Sequence, residues 1–282
     1  MIEPFQSDQT LLGDIESVAS ASSRLDTSRL HIWWLGQSTF LCKCQGLTIL
    51  FDPYLSDALT EKYKNTAKPH VRISRRVVDP GALAGIDVVT CTHAHTDHLD
   101  AQTLNPLFAE NPHAKFIYPR AIDATVRERV NPLPARSIAV NAGESASLNG
   151  VSFYAIASAH DTLETDSDGN HTCLGYVARL GRFTIYHSGD GVVYPGLVDA
   201  LKAHQIDVAI LPINGKVGNM NGADAARLAH HIGAKCVIPC HYDLFAFNTA
   251  DARELFIPEC QRLKQPYRVL RLGERLTVEV PS

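Results

Sequence analysis

The sequence predicts an α/β (α+β) fold, a four-layer αββα sandwich in which two mixed β-sheets pack face to face and helices cover their outer sides. Each half of the chain opens with short apolar segments separated by turn residues, and then alternates between strand and helix patterns. No segment rich in Pro, Ser or Gly separates the halves. We therefore expect an N-terminal extension over residues 1–29 and a single domain of two pseudo-symmetric halves over residues 30–282.

The first half begins after the polar N-terminal extension. In this extension Leu11, Ile15 and Val18 recur at helical spacing, which predicts a short helix, with a frayed terminus as the alternative. A long polar loop is expected over 54–80, and a helix is expected to begin near His98. The remaining predicted elements are strands at 31–35, 39–44, 47–51, 86–91, 114–118 and 137–140, and a helix at 122–130.

The second half begins with a hairpin. Two alternating segments, 144–148 and 151–158, flank Asn149-Gly150, a pair that is typical of tight hairpin turns. The chain is then expected to end with two short strands. Between the hairpin and these strands, the predicted elements are strands at 175–180, 183–187, 207–211 and 235–240, and helices at 223–232 and 250–263.

Composition excludes several classes of function. The 282 residues include 30 acidic and 26 basic side chains, for a net charge of −4, and no basic stripe, which argues against nucleic acid as a partner. The longest apolar run is too short to predict a membrane span. The seven cysteines form no C-x-x-C pair, which favours a reducing, cytoplasmic compartment. A homo-oligomer is possible if the apolar face of the N-terminal helix is a contact surface; otherwise that face covers the chain's own core.

A dense cluster of metal-binding residue types follows the predicted strand 86–91. His93, His95, Asp97 and His98 fall within six residues. On an extended segment residues i and i+2 face the same side, so His93 and His95 can bind one ion together. Asp97 and His98 come at the turn into the next helix and face elsewhere, where a second ion can bind.

Three more candidate ligands each follow an apolar strand, namely His160, Asp190 and His241. We expect these strand ends to converge on one rim of the sandwich. Any one of them alone is as well explained as an ordinary polar residue at a strand end. Together with the first cluster they predict a metal site. We expect His187, three residues before Asp190, to support this site without binding the metal.

These residues resemble those of a known superfamily. H-x-H-x-D-H at 93–98, with His160, Asp190 and His241, is similar to the metallo-β-lactamase-fold hydrolases, whose αββα sandwich matches the element order above. Within that superfamily, residues 34–40, 211–215, 218–225 and 237–243 resemble the L-ascorbate-6-phosphate lactonase family.

The resemblance implies a role for each candidate residue. The implied assignments are one ion held by His93, His95 and His160, a second held by Asp97, His98 and His241, and a bridge between them by Asp190. Asp52 would support the site without binding an ion. Many relatives carry Thr after the bridging aspartate, whereas this chain has Gly191, so we expect one hydrogen bond that positions Asp190 to be missing.

The donor set indicates the metal and the reaction. Five imidazoles and two carboxylates without a thiolate favour Zn²⁺, with Mn²⁺ as the alternative. Flavodiiron oxidoreductases of the same fold have Glu at the position of His95, so the resemblance favours hydrolysis over redox chemistry. A pair of divalent ions can lower the pKa of water toward neutrality, and we expect Asp97 to orient the resulting hydroxide and carry its proton to the leaving group.

Three hypotheses for the function remain open. The first is a metal-dependent hydrolase acting on a small anionic substrate, a sugar-derived lactone or lactone phosphate. The second is a phosphodiesterase acting on a small phosphodiester, because the same chemistry serves phosphorus. The third is a metal-binding scaffold without activity.

Several residues are candidates for binding the substrate. Asn214, Lys216 and Asn219 lie in a Gly-rich segment that enters a helix with Asn221 as its expected N-cap, an arrangement that suits an anion but also an ordinary connection. The basic segment 61–76, which contains His70, either attracts anions or is simply solvated. The other two candidates are Tyr54, just after Asp52, and His171, in the segment after His160.

Overall fold

The structure is a computed structural model that describes residues 1–18 and 28–279. Short strands with mostly buried side chains make up its centre, as expected from their Val, Ile, Leu and Phe content. The strands in the described residues are β1 (Arg29–Gly36), β2 (Thr39–Cys44), β3 (Leu47–Phe51), β4 (Val88–Thr90), β5 (Lys115–Pro119), β6 (Ser137–Val140), β7 (Ser145–Leu148), β8 (Val151–Ala157), β9 (Leu174–Leu180), β10 (Phe183–His187), β11 (Val208–Pro212), β12 (Cys236–Cys240) and β13 (Arg275–Glu279).

The helices are short and lie between the strands or before them. In the described residues they are α1 (Asp8–Ser17), α2 (Ala58–Tyr63), α3 (Ala101–Glu110), α4 (Asp123–Arg129), α5 (Leu197–Lys202), α6 (Gly222–His231) and α7 (Phe256–Leu263). Two 3₁₀ turns, Pro80–Ala82 and Arg120–Ile122, complete the list. Among these residues, no helix is both long and apolar enough to cross a membrane.

Two mixed β-sheets organise these elements, which confirms the predicted fold class. The first sheet has the order β13-β1-β2-β3-β4-β5-β6, and the second has the order β12-β11-β10-β9-β8-β7. In each sheet an antiparallel group is followed by parallel strands: β3 to β6 in the first sheet and β10 to β12 in the second. The carboxyl ends of the parallel strands therefore lie at the same edge within each sheet. The loops that follow these strands can bring their side chains together at that edge.

The inner faces of the two sheets pack against each other. One continuous hydrophobic core includes residues from both sheets. The Phe51 ring stacks on His187 of the other sheet at a centroid distance of 5.1 Å, and the Tyr176 hydroxyl donates to the carbonyl of Cys91 at 2.9 Å. The strand ends of the two sheets are thus held close together.

The N-terminal helix packs on its own chain. Leu11 and Ile15 of α1 are buried, the Trp33 indole donates to Asp14 at 2.9 Å, and the Lys43 ammonium donates to the carbonyl of Ile15 at 3.0 Å. The predicted helix is therefore present, and its apolar face covers the chain's own core instead of forming a contact surface. Residues 19–27, the rest of the extension toward β1, lie outside the described residues.

Several predicted boundaries were wrong, for identifiable reasons. The helix expected near His98 begins at Ala101, because the Asp100 carboxylate caps it by accepting from Gln102 N–H. The helix expected from residue 250 begins at Phe256, because Asp251 instead closes a turn with Arg253 N–H. The predicted loop 54–80 contains helix α2, and among the described residues one terminal strand, β13, is found where two were predicted.

The hairpin prediction is confirmed. Strands β7 and β8 pair with Leu148 opposite Val151, and the turn between them is Asn149-Gly150. Both turn residues have positive φ, 50° and 86°, as a two-residue turn with the twist of the strands requires.

Candidate metal centre

The predicted metal ligands come together at one rim of the sandwich. His93 to His98 follow β4 of the first sheet, whereas His160, Asp190 and His241 follow β8, β10 and β12 of the second. Three groups have ligand atoms within 4.8 Å of one another: His93 with His95 and His160, His93 with His98 and Asp190, and Asp97 with His98 and His241. The first and third groups are the two ligand sets that the resemblance implied.

Asp190 lies between the two sets. Its Oδ1 is 3.2 Å from His98 Nε2, and its Oδ2 is 3.2 Å from His241 Nε2 and 3.7 Å from His160 Nε2. Oδ2 therefore lies near His160, which belongs to the three-histidine set. Both oxygens lie near histidines of the Asp97 set, Oδ1 near His98 and Oδ2 near His241. This is the position that a bridging ligand would occupy.

The expected loss of a positioning contact at Gly191 is compensated locally. The Ser158 hydroxyl donates to the carbonyl of Asp190 at 2.7 Å, and Gly191 N–H donates to Asn219 Oδ1 at 2.8 Å. A Cβ at residue 191 would lie 2.4 Å from Ser158 Oγ. The glycine is thus needed for the close approach of Ser158, and these contacts hold the Asp190 backbone.

Several buried polar atoms at the centre lack a hydrogen-bond partner. They are Nε2 of His93, His98 and His160, and Oδ1 of Asp190. Buried polar atoms in folded proteins are nearly always satisfied, so a cluster of four without partners calls for a ligand. Three nitrogens and one carboxylate oxygen that face one another are a donor set for a divalent cation.

The electrostatics of the cluster are strongly perturbed. Burial would raise the pKa of Asp190, but the rings of His241 and His98 outweigh it and hold the pKa well below its usual value. Burial would likewise lower the pKa of His241, but Asp190 and Asp97 raise it to about 9. Burial, together with the neighbouring His98, lowers the pKa of His93 well below its usual range. The carboxylates and imidazoles thus lie close enough to shift one another's pKa values.

Asp52 organises two of the candidate ligands, as the resemblance implied. Its Oδ2 lies 2.6 Å from Nδ1 of His98, so that Nδ1 would keep its proton when a metal binds and Nε2 is the nitrogen free to bind it. The same oxygen accepts from the Thr92 hydroxyl, which in turn lies 3.1 Å from His93 Nδ1. A hydroxyl that donates to Asp52 can accept from His93, which fixes that ring in the same way.

Gln37 is a polar residue of the centre that the sequence analysis did not assign to it. Its side chain is fully buried in the turn between β1 and β2, and Nε2 donates to Asp97 Oδ2 at 2.8 Å. Its backbone carbonyl accepts from His241 N–H at 3.2 Å. The position of Gln37 in the Gly36-Gln37-Ser38 turn between two buried strands could have indicated a role at this rim. For Thr92, the one indication in the sequence was its position directly before His93.

The backbone around the centre adopts conformations that non-glycine residues rarely take. Gln37, Asp52 and His241 have φ values of 49°, 41° and 63°. Such left-handed residues cost free energy and persist where the surrounding structure determines them, commonly at functional sites. Their positions beside the candidate ligands agree with a functional role for this rim.

A cavity of about 750 Å³ opens on the candidate ligands. Its lining includes four of the candidate ligands, His95, Asp97, Asp190 and His241. The rest of the lining is mainly apolar, and it includes Leu59, Tyr63, His70, Val71, Val217, Phe245 and Phe247. Of the predicted substrate residues, His70 is therefore in the cavity wall.

The other predicted substrate residues do not line this cavity. Tyr54 is buried behind the wall, where its hydroxyl accepts from Leu59 N–H at 3.0 Å. His171 lies in the segment before β9 and is tied to Asn141 by its backbone N–H, 2.8 Å from Asn141 Oδ1. Closeness in sequence to Asp52 or His160 did not place either side chain in the lining of this cavity, and a role for them in substrate binding stays a prediction.

The Gly-rich segment before α6 is structural in its described contacts. Asn214 Nδ2 donates to Asn248 Oδ1 at 2.6 Å, and the Lys216 ammonium donates to the carbonyl of Phe247 at 3.1 Å. Asn219 holds Gly191, as described above, and Asn221 caps α6 by accepting from Asp224 N–H. The predicted N-cap is confirmed, but Asn214, Lys216 and Asn219 bind neighbouring protein groups instead of lining the cavity.

His187 and Cys240 occupy the core beneath the centre. His187 Nε2 is 2.8 Å from the carbonyl of Ser38, and Nδ1 accepts from Gly189 N–H at 3.2 Å, one residue before Asp190. His187 thus braces the backbone that leads to Asp190, which fits the supporting position expected for it. Cys240 is buried in the core, and all seven cysteines are free thiols.

Sequence comparisons identify relatives across most of the chain. The family described as "Beta-lactamase superfamily domain" matches residues 31–241. A "UPF0173 metal-dependent hydrolase" of Opitutus terrae is 30% identical over 256 residues, which cover 89% of this chain and 100% of that protein. A protein of Escherichia coli named "Probable L-ascorbate-6-phosphate lactonase UlaG" is 26% identical over 258 residues, which cover 79% of this chain and 72% of that protein.

Solved structures of low sequence identity share the fold. Igni18, a metallo hydrolase of Ignicoccus hospitalis, has a TM-score of 0.67 at 23% identity, covering 90% of this chain and 100% of its own. An isothiocyanate hydrolase from Delia radicum gut bacteria has a TM-score of 0.69 at 18% identity, covering 89% of this chain and 100% of its own. At these identities the likeness supports the fold and not a substrate.

Proposed function

The chain belongs to the beta-lactamase superfamily as a metal-dependent hydrolase, and from this premise we propose that it uses two divalent ions to hydrolyse a small ester or lactone. The observation that carries the proposal is the cluster of partnerless donor atoms on either side of Asp190. One ion would be held by His93, His95 and His160, the other by Asp97, His98 and His241, with Asp190 shared. Zn²⁺ is the metal that this donor set favours, and Mn²⁺ is the alternative.

The bound ions would supply a water of lowered pKa and polarisation of the substrate carbonyl. Asp97 is the group of this chain best placed to handle the proton. Its carboxylate lines the cavity, and Gln37 holds one oxygen at 2.8 Å. As the oxygen of water bonds to the carbonyl carbon, Asp97 takes the proton, and it returns the proton to the alkoxide when the C–O bond breaks.

A lactone is favoured over a phosphodiester by resemblance. The similarity to a protein named as a lactonase covers 79% of the chain. Among the described residues that line the cavity, Lys68 is the one basic side chain other than the histidines. If the substrate carries an anionic group, as the sequence analysis proposed, Lys68 is the residue that would meet it.

The proposal is tested with purified protein stripped of metal and reloaded with Zn²⁺ or Mn²⁺. We expect ring opening of at least one γ-lactone and no turnover of bis(p-nitrophenyl) phosphate. Asp97→Asn should reduce the rate at saturating metal by about 100-fold or more, as for loss of an acid–base group, whereas the surface variant Asp251→Asn serves as a control with wild-type rate.

The other outcomes separate the competing hypotheses. Turnover of the phosphodiester with every lactone inert would favour the phosphodiesterase. A protein that binds metal and turns over neither class of substrate would favour the scaffold.

A further inference from the structure

Part of the lining of the cavity that contains the candidate ligands is aromatic. The rings of Tyr63 and His70 stack at a centroid distance of 4.2 Å, and His70 meets Phe247 edge-on at 4.5 Å. Phe245 packs against both, at 5.2 Å from His70 and 6.3 Å from Phe247. Four rings from two distant segments of the chain thus form one continuous surface, here called the aromatic wall: Tyr63, His70, Phe245 and Phe247.

The aromatic wall is held in place by backbone contacts. Ala246 N–H donates to the carbonyl of Val71 at 3.0 Å, and Ile73 N–H donates to the carbonyl of Leu244 at 2.8 Å. The Lys216 ammonium fixes the backbone at Phe247 from the other side. A surface held in this way loses little conformational entropy when a ligand binds to it.

Two basic side chains near the wall, those of Arg72 and Lys216, are already engaged. The Arg72 guanidinium pairs with Asp57 at 2.7 Å and also donates to the carbonyl of Ser56, and Lys216 is bound as described. Burial lowers the pKa of His70, so at neutral pH its ring is uncharged. The four rings of the wall therefore offer an uncharged surface, and Lys68 is the one basic side chain other than the histidines among the described residues that line the cavity.

Apolar side chains at the cavity mouth remain exposed. Phe247 is 38% exposed and Val217 is 58% exposed. Val217 also has a φ of 51°, a conformation that is unfavourable for a β-branched residue. A ligand that covered these side chains would remove apolar surface from water, which is the largest favourable term in binding an apolar group.

We propose that the substrate carries an aromatic group that packs against the exposed side of the aromatic wall at Phe247, while its ester or lactone carbonyl faces Asp97 and Asp190. This inference rests on the proposed function and narrows its substrate class. A polyhydroxylated sugar lactone would place hydroxyl groups against the aromatic wall, where the rings of Phe245 and Phe247 offer them no conventional hydrogen-bond partner.

The test compares three γ-lactones of one ring size: γ-butyrolactone, its γ-phenyl derivative, and L-gulono-1,4-lactone. We expect metal-loaded wild-type protein to favour the phenyl lactone over γ-butyrolactone in kcat/KM by about tenfold or more, the usual gain from burying such a group. Phe247→Ala should remove most of that preference. Leu255→Ala, which removes an exposed apolar side chain outside the cavity, should keep it.

Charge is tested separately with Lys68→Ala. If the aromatic wall determines the preference, this variant keeps the wild-type ratio of kcat/KM between the phenyl lactone and γ-butyrolactone. The inference would be overturned if the wild type turned over the gulonolactone as well as or better than the phenyl lactone. It would also be overturned if Lys68→Ala lowered the kcat/KM ratio more than Phe247→Ala does. Val217→Gly, which suits the φ of that position, provides a second variant of the cavity mouth if Phe247→Ala does not fold.

A binding measurement separates this inference from the proposed function. Calorimetric titration of the metal-loaded protein with 4-phenylbutanoate and with butanoate should show about tenfold tighter binding of the phenyl compound, and a smaller gap in Phe247→Ala. Selective binding without turnover of any lactone would overturn the ester chemistry and leave the aromatic site supported. Turnover without selectivity in rate or binding would overturn the aromatic site alone.

Discussion

A single buried carboxylate, Asp52, orders two of the imidazoles at the rim. It fixes His98 directly through Nδ1 and reaches His93 through the Thr92 hydroxyl. Because a histidine binds metal through the nitrogen that lacks a proton, each contact selects the form of the ring that can bind. Asp52 therefore acts on the metal centre without being placed among its ligands.

Replacing this carboxylate tests that role. We expect Asp52→Asn to fold and to lower metal affinity by about 10- to 100-fold, because an amide cannot accept as strongly from both His98 and Thr92. Competition with a chromogenic chelator measures the affinity. Asp207→Asn is the matched control, since Asp207 is also buried and accepts from Thr184 N–H, but at the start of β11, the other end of the strands from the ligands. Equal affinity in the two variants would contradict the role of Asp52.

At the residue scale, the sequence predicted the site residues that directly follow strands and missed those whose positions depend on how loops pack. The positions of the seven candidate ligands follow from short polar motifs directly after buried strands, and these side chains do converge. Phe245 and Phe247 carried no such signal, because their place depends on a bridge between Arg72 and Phe245 that joins segments far apart in sequence. Tyr54 shows the converse, since a neighbour of Asp52 in sequence is buried and does not line the opening.

At the scale of elements, the loop between β11 and α6 presses on a candidate ligand. Gly218 has a φ of 74°, and a Cβ there would lie 2.3 Å from His160 Nδ1 and 3.0 Å from Asp161 N. The loop thus needs glycine for two reasons, its backbone conformation and its approach to the His160 ring. This approach places the loop against a member of the three-histidine set, and anion binding by the loop stays a prediction.

A substitution at this glycine separates the two reasons. Gly218→Ala should displace His160 and lower the affinity of the metal-loaded protein for its ions by about tenfold or more, as for other losses of ligand support. Gly169→Ala imposes a similar backbone cost, with a φ of 79°, but no atom lies within 4 Å of the added Cβ. Metal content after dialysis against a weak chelator is the measurement. Similar losses in both variants would show that backbone strain alone accounts for the effect.

The helices α6 and α7 are joined by an ion-pair cluster at Glu259. Its carboxylate pairs with Arg262 at 2.7 Å and with Arg227 of α6 at 2.6 Å. The guanidinium of Arg262, followed by that of Arg227, lowers the pKa of Glu259 to about 2. Because the pKa is lower in the folded state, the pairing contributes stability above the ordinary pKa of Glu and loses it as the pH falls toward 2.

Glu259→Gln should reveal this dependence. The difference in melting temperature between wild type and variant should be greatest above about pH 5 and should shrink steadily as the solution is acidified. Thermal unfolding followed by circular dichroism at several pH values measures it, and Glu110→Gln at the exposed end of α3 is the control. A difference that does not change with pH would contradict an electrostatic role for the cluster.

At the scale of the whole molecule, the candidate ligands connect the two sheets. Residues 93–98 extend from the first sheet, whereas His160, Asp190 and His241 extend from the second. The two-sheet architecture was predictable because hairpins and alternating strand–helix patterns repeat in each half. The partner of the last strand was not, since β13 crosses back to pair with β1 across most of the length of the chain.

Metal removal should therefore weaken the molecule as a whole. Ions bound only by the folded state stabilise it by about 2.7 kcal/mol at a free concentration one hundred times their dissociation constant. We expect a chelator to lower the melting temperature by several degrees and to increase hydrogen exchange at the strand ends of both sheets. Asp190→Asn, which loses the shared ligand, should show a smaller response to the chelator. An unchanged melting temperature in wild type would contradict a structural link through the ions.

The most direct test of the account is a crystal structure of the metal-loaded protein with anomalous scattering recorded on both sides of the absorption edge of the metal. The account predicts two peaks, one among His93, His95 and His160 and one among Asp97, His98 and His241, with the Asp190 carboxylate bound to both. A single peak, or peaks away from these seven side chains, would contradict it.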